Sequence, residues 1–215
     1  MVLVPATSLP AKLTMTPGDP GNGKCTPFPL FGVTCADAGA DSPTQVPAFH
    51  LDKHETTVAD YAACVTVGKC TAAGKTADCV TDATDPASCI NRAQAAAFCA
   101  YAGKRLVRSL EQVSAAAGTA GRTYPWGNDA STANRLNACG KECKGKNMYP
   151  ESDPWVTSAP VGSLPDGQTP EGVLDLAGNV AERVDATSAI VRGGSYATPA
   201  ETSSPTIGFR CARDQ

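Results

Sequence analysis

Apolar residues return at helical spacing in three stretches, each opened by a capping side chain and closed by glycine. Thr57, with Asp60 three positions on, precedes Val58, Tyr61, Ala62 and Val65 and ends at Gly68. A side-chain oxygen at the first position takes up an orphan helical N–H, and glycine accepts the left-handed exit. Asn91 and Gln94 open a second stretch in the same way, with Ala95, Phe98, Cys99 and Ala102 on one face and Gly103 at its end. Ser109 and Gln112 open a shorter third, carrying Leu110, Val113 and Ala116 toward Gly118. Elsewhere the apolar runs are short and bounded by Gly, Pro, Asp or Ser, which predicts strands at 1–5, 46–53, 158–163, 189–196 and 207–212.

With 20 Gly and 17 Pro in 215 residues, irregular connections dominate. The stretch 14–45 reads as a long surface excursion closed by Cys25 and Cys35. Residues 69–90 form another, holding Cys70, Cys79 and Cys89. No internal repeat or composition break divides the chain, so 1–215 reads as one α+β domain.

Charge removes several classes of function. The net charge is −3 with both signs interspersed, so nothing marks a nucleic-acid or anionic-membrane surface. No apolar run approaches the ~20 residues of a membrane span. Met1-Val2-Leu3-Val4-Pro5 lacks the basic and long apolar regions of a signal peptide. Ten dispersed cysteines without zinc-type pairs read as a disulfide framework in an oxidising compartment, the alternative being reduced core thiols. The local pairs expected from proximity are Cys25–Cys35, Cys64–Cys70, Cys79–Cys89 and Cys139–Cys143.

Three ordered motifs close the chain: Asp175-Leu176-Ala177-Gly178-Asn179-Val180-Ala181-Glu182, Val191-Arg192-Gly193-Gly194-Ser195-Tyr196 and Ile207-Gly208-Phe209-Arg210-Cys211. Together with Val2-Leu3-Val4-Pro5-Ala6, the run from Leu51 to Thr57, the run from Cys99 to Leu106 and Tyr124-Pro125-Trp126-Gly127, they resemble the formylglycine-generating enzyme (sulfatase-modifying factor) family. The resemblance implies a C-type-lectin-like α+β fold and a Cys99–Cys211 disulfide. It also implies that residue 1 stands at the start of a mature domain or was cut from a longer parent, with any export signal or anchor removed.

The same resemblance locates what is missing. The family's two catalytic cysteines follow its Gly-Gly-Ser-aromatic motif, and those places here hold Thr198 and Ser203. Two thiols are the soft ligands that Cu(I) chemistry needs, so no copper and no catalytic residue are expected. Three aromatic places also differ: Trp-Glu-Trp is Ala181-Glu182-Arg183, Val-Ser-Trp is Ile90-Asn91-Arg92, and the run after Arg105-Leu106 ends on Gln112. Arginine or glutamine there requires a polar partner or solvent, so the groove is expected to be remodelled.

Hard oxygen ligands suggest calcium. Asp175 and Glu182 flank a Gly-Asn turn whose carbonyls can point inward, the ligand type Ca²⁺ prefers, and the family positions matching Asp175, Gly178, Val180 and Glu182 bind calcium. The competing reading has Asp175 capping a turn and Glu182 paired with Arg192 or Arg210. A second site is implied at Asp153 and Trp155 with Asn137 and Ala138, so one or two structural ions are expected. His50 and His54 are no metal pair, because strand residues four apart lie roughly 13 Å from each other. The Glu-Pro-Asn, Gln-Pro-Asp and Trp-Asn-Asp triplets of sugar-binding C-type lectins are absent, and Trp126 reads as a turn-packing residue. No nucleophile elbow or phosphate loop occurs.

The function expected is therefore a non-catalytic, extracytoplasmic binding or structural module, secreted, periplasmic or on a cell surface, such as a bacterial surface or periplasmic assembly. A protein partner or self-association is expected. The alternatives are a formylglycine-generating oxidase acting on sulfatase cysteines and a hypervariable ligand-binding protein of the same fold.

Overall fold

The computed structural model describes residues 1–9, 44–76, 78–138, 140, 152–186, 191–196 and 206–215. The strands are short: β1 Val2–Val4, β2 Thr7–Leu9, β3 Thr44–Val46, β4 Phe49–Leu51, β5 Arg105–Leu106, β6 Ala181–Arg183, β7 Val191–Arg192, β8 Ile207–Phe209 and β9 Cys211–Asp214. The helices are α1 Val58–Thr66, α2 Arg92–Tyr101 and α3 Ser109–Ala117. One antiparallel sheet has the order β1-β4-β9-β5, and β2 pairs with β3 alone. The third sheet is β7-β6-β8, with β6 antiparallel to β7 and parallel to β8. The last strands thus join two sheets, β8 to one and β9 to the other, with Arg210 at the crossing.

Helix ends follow their local chemistry. Thr57 Oγ1 accepts the Asp60 N–H at 3.0 Å. Asn91 and Gln94 close a reciprocal capping box, at 2.9 Å in both directions. Gly68 and Gly103 take positive φ beyond α1 and α2, and the following N–H groups of Lys69 and Lys104 return to Cys64 and Cys99 carbonyls. Helix α3 departs from expectation. Arg108 is its N-cap residue and Ser109 lies inside the helix. Glu111 accepts the Arg108 N–H at 2.9 Å, while Ser109 Oγ accepts from the buried Arg192 at 2.6 Å.

One expected helical face is rotated slightly: Tyr61 and Cys64 form the buried stripe of α1 and Ala62 is exposed. On α2, Ala95, Phe98 and Cys99 are buried as expected, and Ala102, the C-cap residue past the helix end, is exposed. The strand expected at 158–163 is a turn. Pro160 offers no N–H, the Ala159 N–H is taken by the Asn179 side chain, and Gly162 turns at positive φ. Strand 46–53 resolves into β3 and β4, and β2 gave no separate signal in its three residues.

Two apolar clusters result. One gathers Val4, Leu9, Phe49, Leu51, Val107 and Val113 with Val173, Leu176 and Val184. The other gathers Tyr61, Ile90, Phe98, Leu106 and Phe209 around cysteines, with Phe98 edge-on to Phe209 at 5.5 Å. Among the described residues the disulfides are Cys64–Cys70, Cys79–Cys89 and Cys99–Cys211, as expected. The expected Cys25–Cys35 and Cys139–Cys143 pairs and the excursion closed by Cys25 and Cys35 fall outside those residues. No described helix is long and apolar enough to cross a membrane.

Candidate functional site

The Asp175–Glu182 turn bends through three left-handed residues, Asp175 (φ 55°), Gly178 (φ 78°) and Asn179 (φ 56°). A Cβ on Gly178 would stand 2.3 Å from the Asn137 carbonyl oxygen, so glycine is sterically required as well as conformationally favoured. The turn is fastened by Gly178 N–H to Gly193 O and Asn179 N–H to Asn137 O, both at 2.8 Å. Asp175 Oδ2 accepts the Gly162 N–H at 2.6 Å.

Glu182 faces a guanidinium. Its two oxygens receive Arg210 Nη2 at 2.6 Å and Nε at 2.7 Å, and both side chains are fully buried. Arg210 also donates to the carbonyls of Leu174 and Asp175 at 3.0 Å. Of the two arginines weighed as partners for Glu182, Arg210 is the one bonded to it.

Around that pair lie two more carboxyls. Burial pushes Glu55 well above the usual carboxylate range, the Asp175 charge adds to the rise, and Arg210 opposes it. Burial also raises Asp175 and Glu182, while the three carboxyls hold the Arg210 guanidinium firmly charged despite its burial. Three carboxyls sharing one cation cannot all ionise cheaply in a dry interior, and Glu55 is the most strongly raised of them. Sequence reasoning missed Glu55: its spacing from Asp175 is 120 residues, and only the fold brings them together.

Asn179 is the hub beside this cluster. Its Oδ1 accepts from Ala159 N–H at 2.8 Å and from Asn137 Nδ2 at 3.3 Å, and its Nδ2 donates to Glu55 Oε1 at 3.1 Å. Asn137 is oriented by Thr157, whose carbonyl accepts from Nδ2 at 3.0 Å. That leaves Asn137 Oδ1 buried without a hydrogen-bond partner. Nearby, Asp153 accepts the N–H groups of Ala138 at 3.0 Å and Trp155 at 2.8 Å. Asn137, Ala138, Asp153 and Trp155 are therefore brought together, whereas in the other set Asp175 accepts from Gly162 and Glu182 is turned onto Arg210.

The Sulfatase-modifying factor enzyme 1-like domain family matches residues 4–215. The chain belongs to this family. Sulfatase-modifying factor relatives include the inactive Cα-formylglycine-generating enzyme 2 of Bos taurus, 33% identical over 145 residues, which cover 55% of this chain and 46% of that protein. The formylglycine-generating enzyme of Streptomyces coelicolor is 29% identical over 160 residues, 56% of this chain and 50% of that one. The chain spans about half the length of the curated relatives it matches. PvdO from Pseudomonas aeruginosa shares the fold over 99% of this chain and 93% of its own, with a TM-score of 0.62 at 22% identity. Treponema denticola variable protein 1 superposes over 100% of this chain and 95% of its own, with a TM-score of 0.59 at 17% identity. The domain is a mixed α+β, C-type-lectin-like fold.

At the sulfatase-modifying factor family's aromatic places, the substituted residues find different surroundings. Arg183 Nε donates to the Ile90 carbonyl at 2.5 Å, and Arg92 pairs with Asp185 at 2.8 Å, so the two arginines tie the start of α2 to the exit of β6. Gln112 is buried, and its amide faces Glu182 without closing a hydrogen bond of normal length. Thr198 and Ser203, at the family's cysteine places, lie outside the described residues. Trp126 stacks on Tyr124 at 4.9 Å and packs against the first apolar cluster. His50 lies on β4, and His54 Nδ1 contacts the Glu55 carbonyl oxygen at 2.8 Å. Among the described residues no three His, Cys, Asp or Glu side chains form a metal-holding group.

Proposed function

We propose that this domain is a non-catalytic, calcium-stabilised, disulfide-stapled extracytoplasmic module that binds a protein partner or its own copies. The observation that carries the non-catalytic part is in the sequence: Thr198 and Ser203 replace both thiols of the family's redox pair, and neither hydroxyl can stand in for a soft Cu(I) ligand. The matching relative named as an inactive enzyme supports this reading. Purified protein given Cu(I), oxygen and a Cys-x-Pro-x-Arg peptide should leave the peptide thiol intact. Appearance of an aldehyde at that cysteine would establish the oxidase reading instead.

Calcium enters first at Asn137. Its buried, unpartnered oxygen, the Ala138 carbonyl, the Asp153 carboxylate and the Trp155 carbonyl offer the hard donors the ion prefers. The Asp175 turn supplies Gly178 and Val180 carbonyls, but the oxygens of Glu182 are already bonded to Arg210, so a second ion there binds more weakly. An ion at a hundred times its dissociation constant adds about 2.7 kcal/mol to stability. Chelation should lower the melting temperature, calcium should restore it, and Asn137→Ala should abolish most of the response. A melting temperature indifferent to chelator would remove calcium from the proposal. The disulfide content supports an oxidising, extracytoplasmic location.

A further inference from the structure

The three described disulfides occupy different chemical surroundings. Cys64, Cys99 and Cys211 are fully buried and Cys70 nearly so, among Tyr61, Phe98, Ile90 and Phe209. Cys79 and Cys89 are only half-buried. Their bond also carries polar contacts: Thr76 N–H donates to Cys79 Sγ at 3.1 Å, and the Thr76 hydroxyl lies 3.2 Å from Cys79 Sγ and 3.7 Å from Cys89 Sγ. A disulfide sulfur has no proton, so both Thr76 groups act as donors. Cys89 adds backbone strain, since it is a non-glycine residue in the left-handed region at φ 56°.

We propose that Cys79–Cys89 is a thiol–disulfide exchange site that a dithiol reductant opens while the rest of the fold stays intact. A thiolate of the reductant attacks Cys89 Sγ. The Cys79–Cys89 bond breaks and its electron pair leaves on Cys79 Sγ, where the Thr76 N–H and hydroxyl stabilise the negative charge. Exchange is faster when the leaving thiol has a lower pKa, so these two donors favour departure on Cys79, against the opposing Gly74 carbonyl oxygen 3.3 Å from the same sulfur. The reductant's second thiol then attacks the mixed disulfide. Cys89 leaves as a thiol after taking up a proton, and the reductant becomes its own disulfide.

The opening is local because the two sides of the loop are held unequally. The Cys89 side is tied to the start of α1 by bonds that need no disulfide: Ala59 N–H to Ala83 O, Val58 N–H to Asp85 O and Ala87 N–H to Thr56 O, at 2.8–3.1 Å. Ser158 Oγ adds a bond to Asp85 at 2.7 Å. The Cys79 side keeps Gly74 N–H to Cys89 O and Val80 N–H to Ser88 Oγ. That side walls an apolar cavity of about 540 Å³ together with Tyr61, Val65 and Ile90. Reduction therefore loosens the cavity's outer wall and leaves α1 in place.

The test is a dithiothreitol titration of the intact protein, with thiols trapped by alkylation and assigned by mass spectrometry. Cys79 and Cys89 should be alkylated together while Cys64, Cys70, Cys99 and Cys211 remain oxidised and thermal unfolding remains cooperative. Thr76→Val keeps the backbone donor and the side-chain shape but removes the hydroxyl. It should slow release of this pair several-fold without changing the oxidised protein's melting temperature. Two results overturn the proposal: release of Cys64–Cys70 or Cys99–Cys211 at the same or lower reductant, or release of Cys79–Cys89 only on global unfolding. An unchanged rate in Thr76→Val would overturn the assigned role of Thr76 and with it the direction of attack.

Discussion

The two halves of the interior solve the same packing problem with opposite chemistry. Between α1, α2 and the β8–β9 crossing, the filling is aromatic and covalent: Tyr61, Phe98 and Phe209 meet with ring centroids 5.5–6.2 Å apart around Cys99–Cys211. Behind the Asp175–Glu182 turn an ionic and amidic network is set among buried Val173, Leu176 and Val180: Arg210, Glu182, Glu55, Asn179 and Asn137 interlock there. Phe209 and Cys211 serve the first region and Arg210, between them, serves the second. Apolar packing tolerates loss in proportion to the volume removed, whereas a buried ionic network fails when one partner is deleted because the rest stay charged and dry.

The largest effect is expected from the covalent link in the aromatic region. Cys99 and Cys211 are 112 positions apart, against 6 for Cys64 and Cys70. In the chain-entropy account the long closure contributes about 5 kcal/mol and the short one roughly 2.4 kcal/mol. Replacing Cys99 and Cys211 with Ala should therefore lower the denaturation midpoint more than replacing Cys64 and Cys70. Equal losses would show that strain or packing, rather than loop length, sets the value of these bonds.

Arg210→Met tests the ionic region. Losing the guanidinium leaves Glu182 and Asp175 without their buried cation, for a loss of about 3–5 kcal/mol in urea unfolding. Adding Glu182→Gln should recover part of that loss, because a neutral amide no longer requires the missing charge. A double variant as unstable as the sum of its parts would mean the two residues are not coupled, contrary to their paired 2.6 Å and 2.7 Å contacts.

Legibility in the sequence followed the same division. In the aromatic region helices α1 and α2 announced themselves through capping residues and 3.6-residue spacing and stand where those local signals put them, whereas the Cys99–Cys211 closure, 112 positions long, was implied only by the family resemblance. The ionic region depends on contacts between distant segments. Asn137 with Asn179 spans 42 residues and Asn179 with Glu55 spans 124, and no local period encodes either. Ser109 shows how the long-range contact wins: its capping signal was sound, yet a buried arginine from β7 claims its hydroxyl and Glu111 closes the helix start instead. The 158–163 segment failed as a strand for a related reason, since a side-chain amide from the turn takes the backbone donor a ladder would have used.

The smallest effect separates a peripheral ion pair from the buried one. Burial works most strongly, to raise the Glu171 carboxyl, but the hydrogen bonds from Arg122 at 3.2 Å, joined by its own backbone N–H, Thr169 and the Arg122 charge, together outweigh it and leave the group below its ordinary value of 4.5. A carboxylate whose folded value is depressed contributes stability that is complete above its unfolded value and is lost as pH falls through the folded one. Glu171 keeps a fifth of its side-chain surface in contact with solvent, so screening holds the contribution under about 1 kcal/mol. Comparing the wild type with Glu171→Gln, the difference in stability should be constant at neutral pH and shrink only below about pH 4.5. The Arg210 cluster has raised carboxyls, so it should give the opposite sign: neutral Glu55 favours the fold, and that contribution is lost as pH climbs toward its raised value. A Glu171→Gln difference that instead grew as pH fell toward 4.5 from above would place Glu171 with the raised carboxyls of the core and dissolve the contrast between rim and core.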